Sequence, residues 1–536
     1  MDTSELENTE TDHIPFKKKL WDGRTDLLLG IILFLTAGLY ALLMFRDRFP
    51  SEGLMILGGL WLVYLLLGGR LTYASPVDLP MLALFGLLLL SLYITVDLDY
   101  SLPKFYGLLL GFVLFYLIVN IVRNYQRLYL AILSLIILAL GTAGLGLLTA
   151  DWSKSTYSFA ALFQNFVLSF LSLSARSGDL GGTNLNTIGG ALAFFPSLFL
   201  SLIWDGGAFH RTYLHDKANS IQLNRAYKAA LILTSILCLG MIFMTGSRGA
   251  YLGTAGGLFL VALWKDRRFL WLIPVLLVVF FAGMFIFANG NISEFVSILD
   301  TDEESSTLPN RIETWKNAIY IIEDFPLSGP GIFTFGKVFN EFYSFGSFSN
   351  QNQPLLHAHN LYLSVAYDLG IPGLVLYMAL LSASGYMVFH ALRIGRSILR
   401  SLLIGLSTGL LSHHIFGLMD ANNLGTKLGA ILWIFLGLIA AVYVHRKNFQ
   451  WQQGFPPNQS DRTSFAKPTQ ITTKRRFTDM LIGLAYWLLI SLGAVTFVNI
   501  SPLVSLALAM AGGIYLGILL TKQYRKTTSK LKAYGS

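Results

Sequence analysis

Long apolar runs separated by short polar segments dominate the chain. A helix that crosses a bilayer needs about 20 largely apolar residues, and fourteen runs reach or approach that length. They are Leu27–Phe45, Gly53–Gly68, Leu79–Val96, Phe105–Val122, Leu128–Leu148, Ile188–Trp204, Tyr227–Met244, Tyr251–Trp264, Phe269–Ala288, Ile371–Phe389, Ser401–Met419, Leu428–Val444, Met480–Val498 and Pro502–Leu520. The pattern predicts an all-α polytopic membrane protein, with about 12 core transmembrane helices and a C-terminal pair.

Composition agrees with a chain that lies mostly in lipid. Only 13% of its residues are charged, against about 25% in soluble proteins, and the mean hydropathy is +0.58. The N-terminus is polar and acidic up to Lys17–Lys19, which is not typical of a cleaved signal peptide, so the first span is expected to be an uncleaved anchor. The single cysteine, Cys238, lies inside a predicted span and excludes an intrachain disulfide.

The distribution of positive charge predicts the orientation. If the N-terminus is cytoplasmic and the spans alternate, 29 of the 39 lysines and arginines fall on the cytoplasmic side. This is the positive-inside bias of membrane proteins. The net charge of +9 therefore indicates topology and contact with anionic membrane lipids, and no nucleic-acid partner is expected.

The same reading divides the chain into segments. A large, partly helical extracytoplasmic loop is expected at 289–360, and a Gln-, Pro- and Ser-rich stretch predicts a flexible cytoplasmic linker. The C-terminal pair beyond that linker is interpreted as an appendage. The predicted segments are a cytoplasmic tail (1–26), a membrane domain (27–444), the linker (445–478), the C-terminal transmembrane pair (479–521) and a basic cytoplasmic tail (522–536).

The outer loop contains a strong helix-start pattern. Asn310 is a suitable N-cap, and Glu313 follows at the spacing of a capping box. Arg311 would project onto the apolar face of the helix. An arginine there can bind an anion together with free backbone N–H groups, or it can pair with a loop carboxylate, and the pattern leaves both open. The residues of that face are Ile312, Trp315, Ala318, Ile319 and Ile322.

A second arginine lies at the outer junction of two spans, in Thr245-Gly-Ser-Arg-Gly-Ala250. Glycines allow close backbone approach and unusual dihedral angles. Arg248 could be a snorkelling arginine at a helix end, but its flanking glycines and Ser247 give its stem little apolar support. This favours a ligand-binding role.

Two histidines lie at the end of the predicted outer loop, in His357-Ala-His-Asn360. Imidazole accepts protons near neutral pH. His357 and His359 would point to the same side of a strand but to different sides of a helix, so His357 is expected to face away at a helix start. A His-x-His pair can bind a metal when it lies on a strand, but no carboxylate near it in the sequence would complete such a site. His413-His414 is interpreted as making polar contacts inside the bundle, and Asp420 as lining the same site or capping a helix.

In these features the chain resembles the O-antigen ligase and O-antigen polymerase superfamily of bacterial glycan-assembly enzymes. The resemblance covers roughly Leu27–Val444, without the C-terminal pair. Its motifs are Thr245–Ala250, Arg311-x3-Trp315 followed by Pro326-Leu-Ser-Gly-Pro-Gly331, His359-Asn360-x9-Gly370, and Asp420 after the His-His span.

The resemblance implies a glycosyltransferase of the bacterial plasma membrane with its site on the extracytoplasmic side. It would transfer a glycan from undecaprenyl diphosphate to a lipid- or glycan-linked sugar acceptor, with inversion and without metal or cofactor. His359 would be the general base, and Arg248 and Arg311 would bind the donor diphosphate. Further substrate contacts are expected from Ser247, Trp315, His357, Asn360 and Asp420.

Several functions remain open at this stage. An O-antigen or exopolysaccharide polymerase and a protein-directed oligosaccharyltransferase share these motifs and differ in the acceptor. A transporter, for example of bicarbonate, is a further alternative. Transporters usually place ionisable residues at mid-membrane in broken helices, whereas the charges here cluster at the predicted outer surface. A scaffold subunit whose outer loop binds a partner is the third class.

Overall fold

The structure is a computed structural model, and it describes most of the chain with gaps at the termini and between several helices. The described residues are 23–45, 51–68, 71–170, 184–205, 217–288, 308–343, 357–393, 397–420, 424–451 and 473–533. Most of the predicted N-terminal tail and of the cytoplasmic linker therefore lies outside the described residues.

Among these residues every regular element is a helix. In the first half of the chain the helices are α1 (Gly23–Phe45), α2 (Ser51–Gly68), α3 (Asp78–Ile94), α4 (Leu98–Ile121), α5 (Tyr125–Thr149), α6 (Ser158–Phe170), α7 (Leu185–Leu192), α8 (Phe195–Asp205), α9 (Lys217–Met244), α10 (Arg248–Lys265) and α11 (Leu272–Ala288). In the second half they are α12 (Leu308–Asp324), α13 (Phe335–Phe342), α14 (Leu361–Leu392), α15 (Ser397–Phe416), α16 (Ala430–Val444), α17 (Arg446–Trp451), α18 (Thr473–Val495) and α19 (Pro502–Ala533).

These helices confirm the predicted all-α polytopic membrane fold. Within the described ranges, nine helical stretches are long and apolar enough to cross a bilayer, and four shorter apolar helices accompany them. Each run predicted as a span contains a helix, although Ile188–Trp204 is broken into α7 and α8. The total of fourteen spans stays a prediction, as does the side of the membrane on which each connection lies.

The long helix α14 lies at the centre of the bundle. It contacts α3, α12, α15, α16, α18 and α19, and most of its side chains are buried. Gly370 interrupts it with a left-handed φ of 68°, a conformation that glycine adopts without steric cost. The residues before the kink begin at the functional site described below, and the residues after it run through the bundle.

The kink in α14 is also where the segment 308–343 packs. The Ile371 N–H donates to the Pro326 carbonyl at 2.8 Å, and a Cβ on Gly370 would lie 2.4 Å from the carbonyl carbon of Leu327. Gly370 thus gives space and dihedral freedom to the turn at 326–331. The two motifs are therefore linked physically, because the turn in Pro326-Leu-Ser-Gly-Pro-Gly331 packs where a side chain at position 370 would lie.

The C-terminal pair is integrated into the bundle, which corrects its interpretation as an appendage. α19 packs along α14, and α18 contacts both α14 and α3. The Trp487 indole N–H donates to the Pro372 carbonyl at 3.1 Å, and the Tyr524 hydroxyl donates to the Ala74 carbonyl at 2.9 Å. The pair therefore supports the helix that carries the site.

Candidate functional site

Asn360 fixes the start of α14 and ties it to the end of α15. Its Oδ1 accepts from the N–H groups of Tyr362 and Leu363, each at 3.0 Å, which is the N-cap arrangement. Its Nδ2 donates to the Leu418 carbonyl at 3.0 Å. Because the side chain is engaged with backbone at both ends, Asn360 positions the site, and the substrate contact expected of it stays a prediction.

His359 has a left-handed backbone with φ of 47°, which is uncommon outside glycine but tolerated by histidine. This turn brings the ring centroids of His357 and His359 to 4.2 Å from each other. The expectation that His357 faces away from His359 is therefore wrong, because the pair precedes α14 and does not follow helical geometry.

Asp420 joins the two histidines. Its Oδ1 lies 3.3 Å from Nδ1 of His359 and 3.9 Å from Nδ1 of His357, and the carboxylate is buried. The expectation that no carboxylate lies near the histidine pair is wrong. Asp420 is 61 residues away in sequence and arrives from the end of α15, so this approach depends on the packing of α14 against α15.

The hydrogen bonds indicate which ring nitrogen carries the proton in His357 and in His359. The backbone N–H of His359 donates to Nδ1 of His357 at 3.3 Å, so that nitrogen carries a lone pair. His359 then provides the donor to Asp420 through its Nδ1–H. With Nδ1 protonated, the Nε2 of a neutral His359 is the basic nitrogen. This arrangement orients one imidazole as a proton acceptor.

The electrostatic surroundings support these states. Burial lowers the pKa of His357 to about 4; the His359 ring and the charges of Arg311 and Lys104 act in the same direction, and Asp420 opposes them. Burial raises the pKa of Asp420, but the hydrogen bond from His359 and the charges of both histidines and Arg311 outweigh it, so the pKa lies below its usual range. At neutral pH the site holds a neutral His357 beside an ionised Asp420.

Arg311 lies on α12, whose start and buried face differ from the predictions. The helix begins at Leu308, so Asn310 lies in its first turn and is not the N-cap. Ile312, expected on the buried face, is 41% exposed. The face that is buried carries small and apolar residues, namely Thr314, Ala318, Ile321 and Ile322.

Two donors on α12 are buried and have no hydrogen-bond partner among the described residues. They are Nε of Arg311 and Nε1 of Trp315, one helical turn apart. Most buried donors in proteins are paired, so such a pair of unmatched N–H groups suits an acceptor brought by a ligand. The charge of Arg311 also reaches His357 and Asp420.

The turn at Thr245–Ala250 lies beside the end of α15. Ser247 is buried and caps α10, with its Oγ accepting from the Ala250 N–H at 3.4 Å. A Cβ on Gly249 would lie 3.4 Å from Cβ of Met419, the residue before Asp420. Arg248 therefore starts a helix that packs against the end of α15 at Met419, while the Ser247 hydroxyl already serves as a cap. The substrate contacts expected of both residues stay predictions.

Lys104 is a site residue that the sequence reasoning missed. It lies in the first turns of α4, and its charge lowers the pKa of His357. Its Nζ lies 5.8 Å from the centroid of the Phe333 ring. The only signal in the sequence was a lone lysine on the predicted outer side, and no motif marked it.

The histidines of the later span make internal polar contacts, as interpreted. His413 Nδ1 lies 3.3 Å from the Gly190 carbonyl oxygen. His414 lies 2.6 Å from the Leu410 carbonyl oxygen through Nδ1, and 2.8 Å from the Tyr377 hydroxyl through Nε2. These contacts engage both nitrogens of His414 and Nδ1 of His413 within the bundle.

Comparison with known proteins agrees with this geometry. Residues 233–378 match the family model described as O-antigen ligase. The matched segment contains Arg248, Arg311 and the His357–Asn360 turn, but not Asp420. This confirms the predicted resemblance to the O-antigen ligase and polymerase superfamily and supports a membrane protein of that kind. No curated protein matches the chain.

Proposed function

We propose that the protein is a glycosyltransferase that moves a glycan from undecaprenyl diphosphate to the hydroxyl of a lipid- or glycan-linked sugar. We place the reaction at the outer face of the bacterial plasma membrane. One observation carries the proposal: His359 donates to a buried, ionised Asp420 within reach of the positive charge of Arg311. This combines an oriented base with a cation for an anionic leaving group.

His359 acts as the general base. Asp420 holds Nδ1–H and thereby fixes the tautomer and the ring orientation, so Nε2 can accept the proton of the acceptor hydroxyl. A carboxylate in this position also stabilises the imidazolium that forms. The acceptor oxygen then attacks the anomeric carbon as the bond from that carbon to the diphosphate oxygen breaks. Direct displacement inverts the anomeric centre.

Cationic side chains hold the diphosphate. Arg311 brings a guanidinium whose Nε has no partner among the described residues, and Arg248 begins α10 beside the turn that carries Asp420. Lys104 adds a third positive charge near His357. Fixed charges that meet the negative charge developing on the leaving group lower the barrier. We propose that the transfer itself uses no metal, because these side chains supply the positive charge.

The acceptor separates the possible activities. A ligase would use a lipid-linked core sugar, and a polymerase the next repeat unit on its own carrier. The described geometry favours neither, since both need the same base and the same cations. A transporter is less well supported, because the ionisable cluster lies where α14 begins and α15 ends.

The experiment is a transfer assay with purified full-length protein in liposomes, a glycan linked to undecaprenyl diphosphate, and sugar acceptors of both classes. His359→Ala should abolish transfer and leave donor binding nearly unchanged. Arg248→Ala, Arg311→Ala and Lys104→Gln should weaken donor binding. His390→Ala, at the opposite end of α14, is the matched control and should behave like the parent protein. Near-parental transfer by His359→Ala would exclude the base assignment.

A further inference from the structure

We propose that His357, His359 and Asp420 form an inhibitory site for a divalent transition-metal ion of the Zn²⁺ type. Each residue offers one ligand atom, and among the described residues these three atoms lie within 4.8 Å of one another. The inhibitory consequence rests on the proposed function, because it uses the role of His359 as base. The binding of the ion does not.

The distances come close to those of a metal complex. Zn²⁺ binds histidine nitrogen and carboxylate oxygen at ~2.0–2.2 Å in tetrahedral geometry, which puts neighbouring ligand atoms ~3.3 Å apart. Nδ1 of His359 and Oδ1 of Asp420 are already separated by 3.3 Å. Nδ1 of His357 lies 3.9 Å from the same oxygen. If Nδ1 of His357 moved to ~3.3 Å from the other two ligand atoms, the site would have three ligands and an open fourth position.

The types of ligand select the class of ion. Two imidazoles and one carboxylate suit Zn²⁺, Co²⁺ or Ni²⁺, whereas Mg²⁺ and Ca²⁺ prefer oxygen ligands. The site is also partly enclosed: Asp420 is buried and the two histidines are 28% and 20% exposed. A metal that enters would therefore meet side chains that already converge. Its binding requires the proton on Nδ1 of His359 to move to Nε2 or to solvent, and Nδ1 of His357 to release the backbone N–H of His359.

Two features keep this ion from being a resident cofactor. The charges of Arg311 and Lys104 reach the cluster and repel any cation, which weakens binding. The proposed transfer also requires the cluster to be free of metal. An ion bound to Asp420 and the histidines would take away the hydrogen-bond acceptor that orients Nδ1–H of His359. Binding of the metal and action of the base thus compete for the same atoms.

The test measures metal binding directly, without donor or acceptor. Co²⁺ replaces Zn²⁺ as the probe, because its visible absorption reports tetrahedral coordination. The purified full-length protein should bind one Co²⁺ at this site, and Zn²⁺ should displace it. His357→Gln and Asp420→Asn should each weaken binding at least tenfold, while the control His390→Gln should not. A parent protein without this absorption, or a His357→Gln variant that binds Co²⁺ as tightly as the parent, would overturn the proposal.

A second variant guards against loss of binding through misfolding. Arg311→Gln removes a repelling charge without touching a ligand, so it should tighten Co²⁺ binding several-fold. A folding defect cannot produce that result. Unchanged or weaker binding in Arg311→Gln would contradict the site as placed beside Arg311.

An activity measurement separates the two proposals. If both hold, Zn²⁺ should inhibit glycan transfer by the parent protein and a chelator should restore it. If the Co²⁺ absorption is present and no transfer is detected, the metal site stands and the proposed function fails. If transfer proceeds and neither Co²⁺ binding nor Zn²⁺ inhibition occurs, the metal site fails alone.

Discussion

The contact between His359 and Asp420 gives the sharpest prediction. Asp420→Asn keeps the size of the side chain and a hydrogen-bond acceptor but removes its charge. A hydrogen bond to a charged group contributes about 1.5–3 kcal/mol, which corresponds to roughly 10- to 150-fold in kcat at about 1.36 kcal/mol per factor of ten. The 3.3 Å separation is longer than the ~2.7–2.9 Å typical of charge-assisted bonds, so we expect about tenfold.

The assay is initial-rate transfer by purified protein in liposomes, measured over a range of pH. The charge on Asp420 stabilises a proton on the neighbouring imidazoles. Its removal should therefore shift the acidic limb of the pH–rate profile to lower pH, while the plateau rate falls. Donor KM should change little, since the arginines remain. A merely structural defect would lower activity without moving the limb.

Asp97→Asn is the matched control. Asp97 caps α4 through the Tyr100 N–H at 3.0 Å and forms a partly exposed ion pair with Lys337 at 3.1 Å. Asparagine caps helices about as well as aspartate, and exposed ion pairs contribute at most about 1 kcal/mol. These are small effects on stability and do not act on the reacting groups, so the Asp97→Asn variant should transfer glycan at a rate close to the parent's. An Asp420→Asn variant with the rate and pH profile of the Asp97→Asn control would refute the reasoning.

Four further results are expected. Arg311→Lys keeps the charge but loses the planar donor group, so donor KM should rise and transfer should fall markedly. Donor binding equal to the parent's would exclude Arg311 as a ligand of the diphosphate. In histidine-labelled protein, the NMR titration of His357 should have its midpoint at about 4. Since the unfolded chain protonates this ring near 6.5, the free energy of unfolding should decrease as the pH is lowered from about 6.5 to about 4. A midpoint near 6.5 would contradict the buried position of His357. A chain that ends after residue 447 should insert poorly or melt at a lower temperature, because α18 and α19 contact α14. An equally stable, active truncation would show the pair to be dispensable. In a Cys238→Ser background, an impermeant thiol reagent should label the Glu341→Cys variant from outside and leave the Asp266→Cys variant unlabelled. The reverse pattern would show that the topology is inverted and that the site faces the cytoplasm.

The helical fold could be predicted from the sequence because lipid limits the choice. Backbone groups in hydrocarbon must pair within their own segment, so a long apolar run indicates a helix almost independently of its neighbours. The exact helix ends and the buried face of each helix could not be predicted from the apolar runs alone. In α12 the start is at Leu308, which places Pro309 in the first turn, where proline is tolerated. The packing of α12 against the bundle buries Thr314 and Ile321 and leaves Ile312 41% exposed.

The site could be predicted only in part, for two physical reasons. The left-handed φ of His359 is not encoded by any local spacing rule, so the convergence of His357 on the same carboxylate was missed. The contact of Asp420 with the two histidines and the electrostatic effect of Lys104 on His357 depend on how α14, α15 and α4 pack together. By contrast, Arg311 was correctly placed on the buried side of its helix, because its spacing from Ala318 and Ile322 matches the helical period.

The junction at Gly370 has a practical consequence for anyone who wishes to study the segment 308–343 by itself. The 308–343 region looks from its hydrophilic composition like a soluble module that could be excised and expressed. Yet it buries Ala318, Ile321 and Ile322, α12 packs on α14, and its Pro326 carbonyl accepts from Ile371. Cut away from the bundle, this segment would expose its apolar face to water. Antibodies or binders raised against the excised fragment would therefore meet a surface that the intact protein does not present.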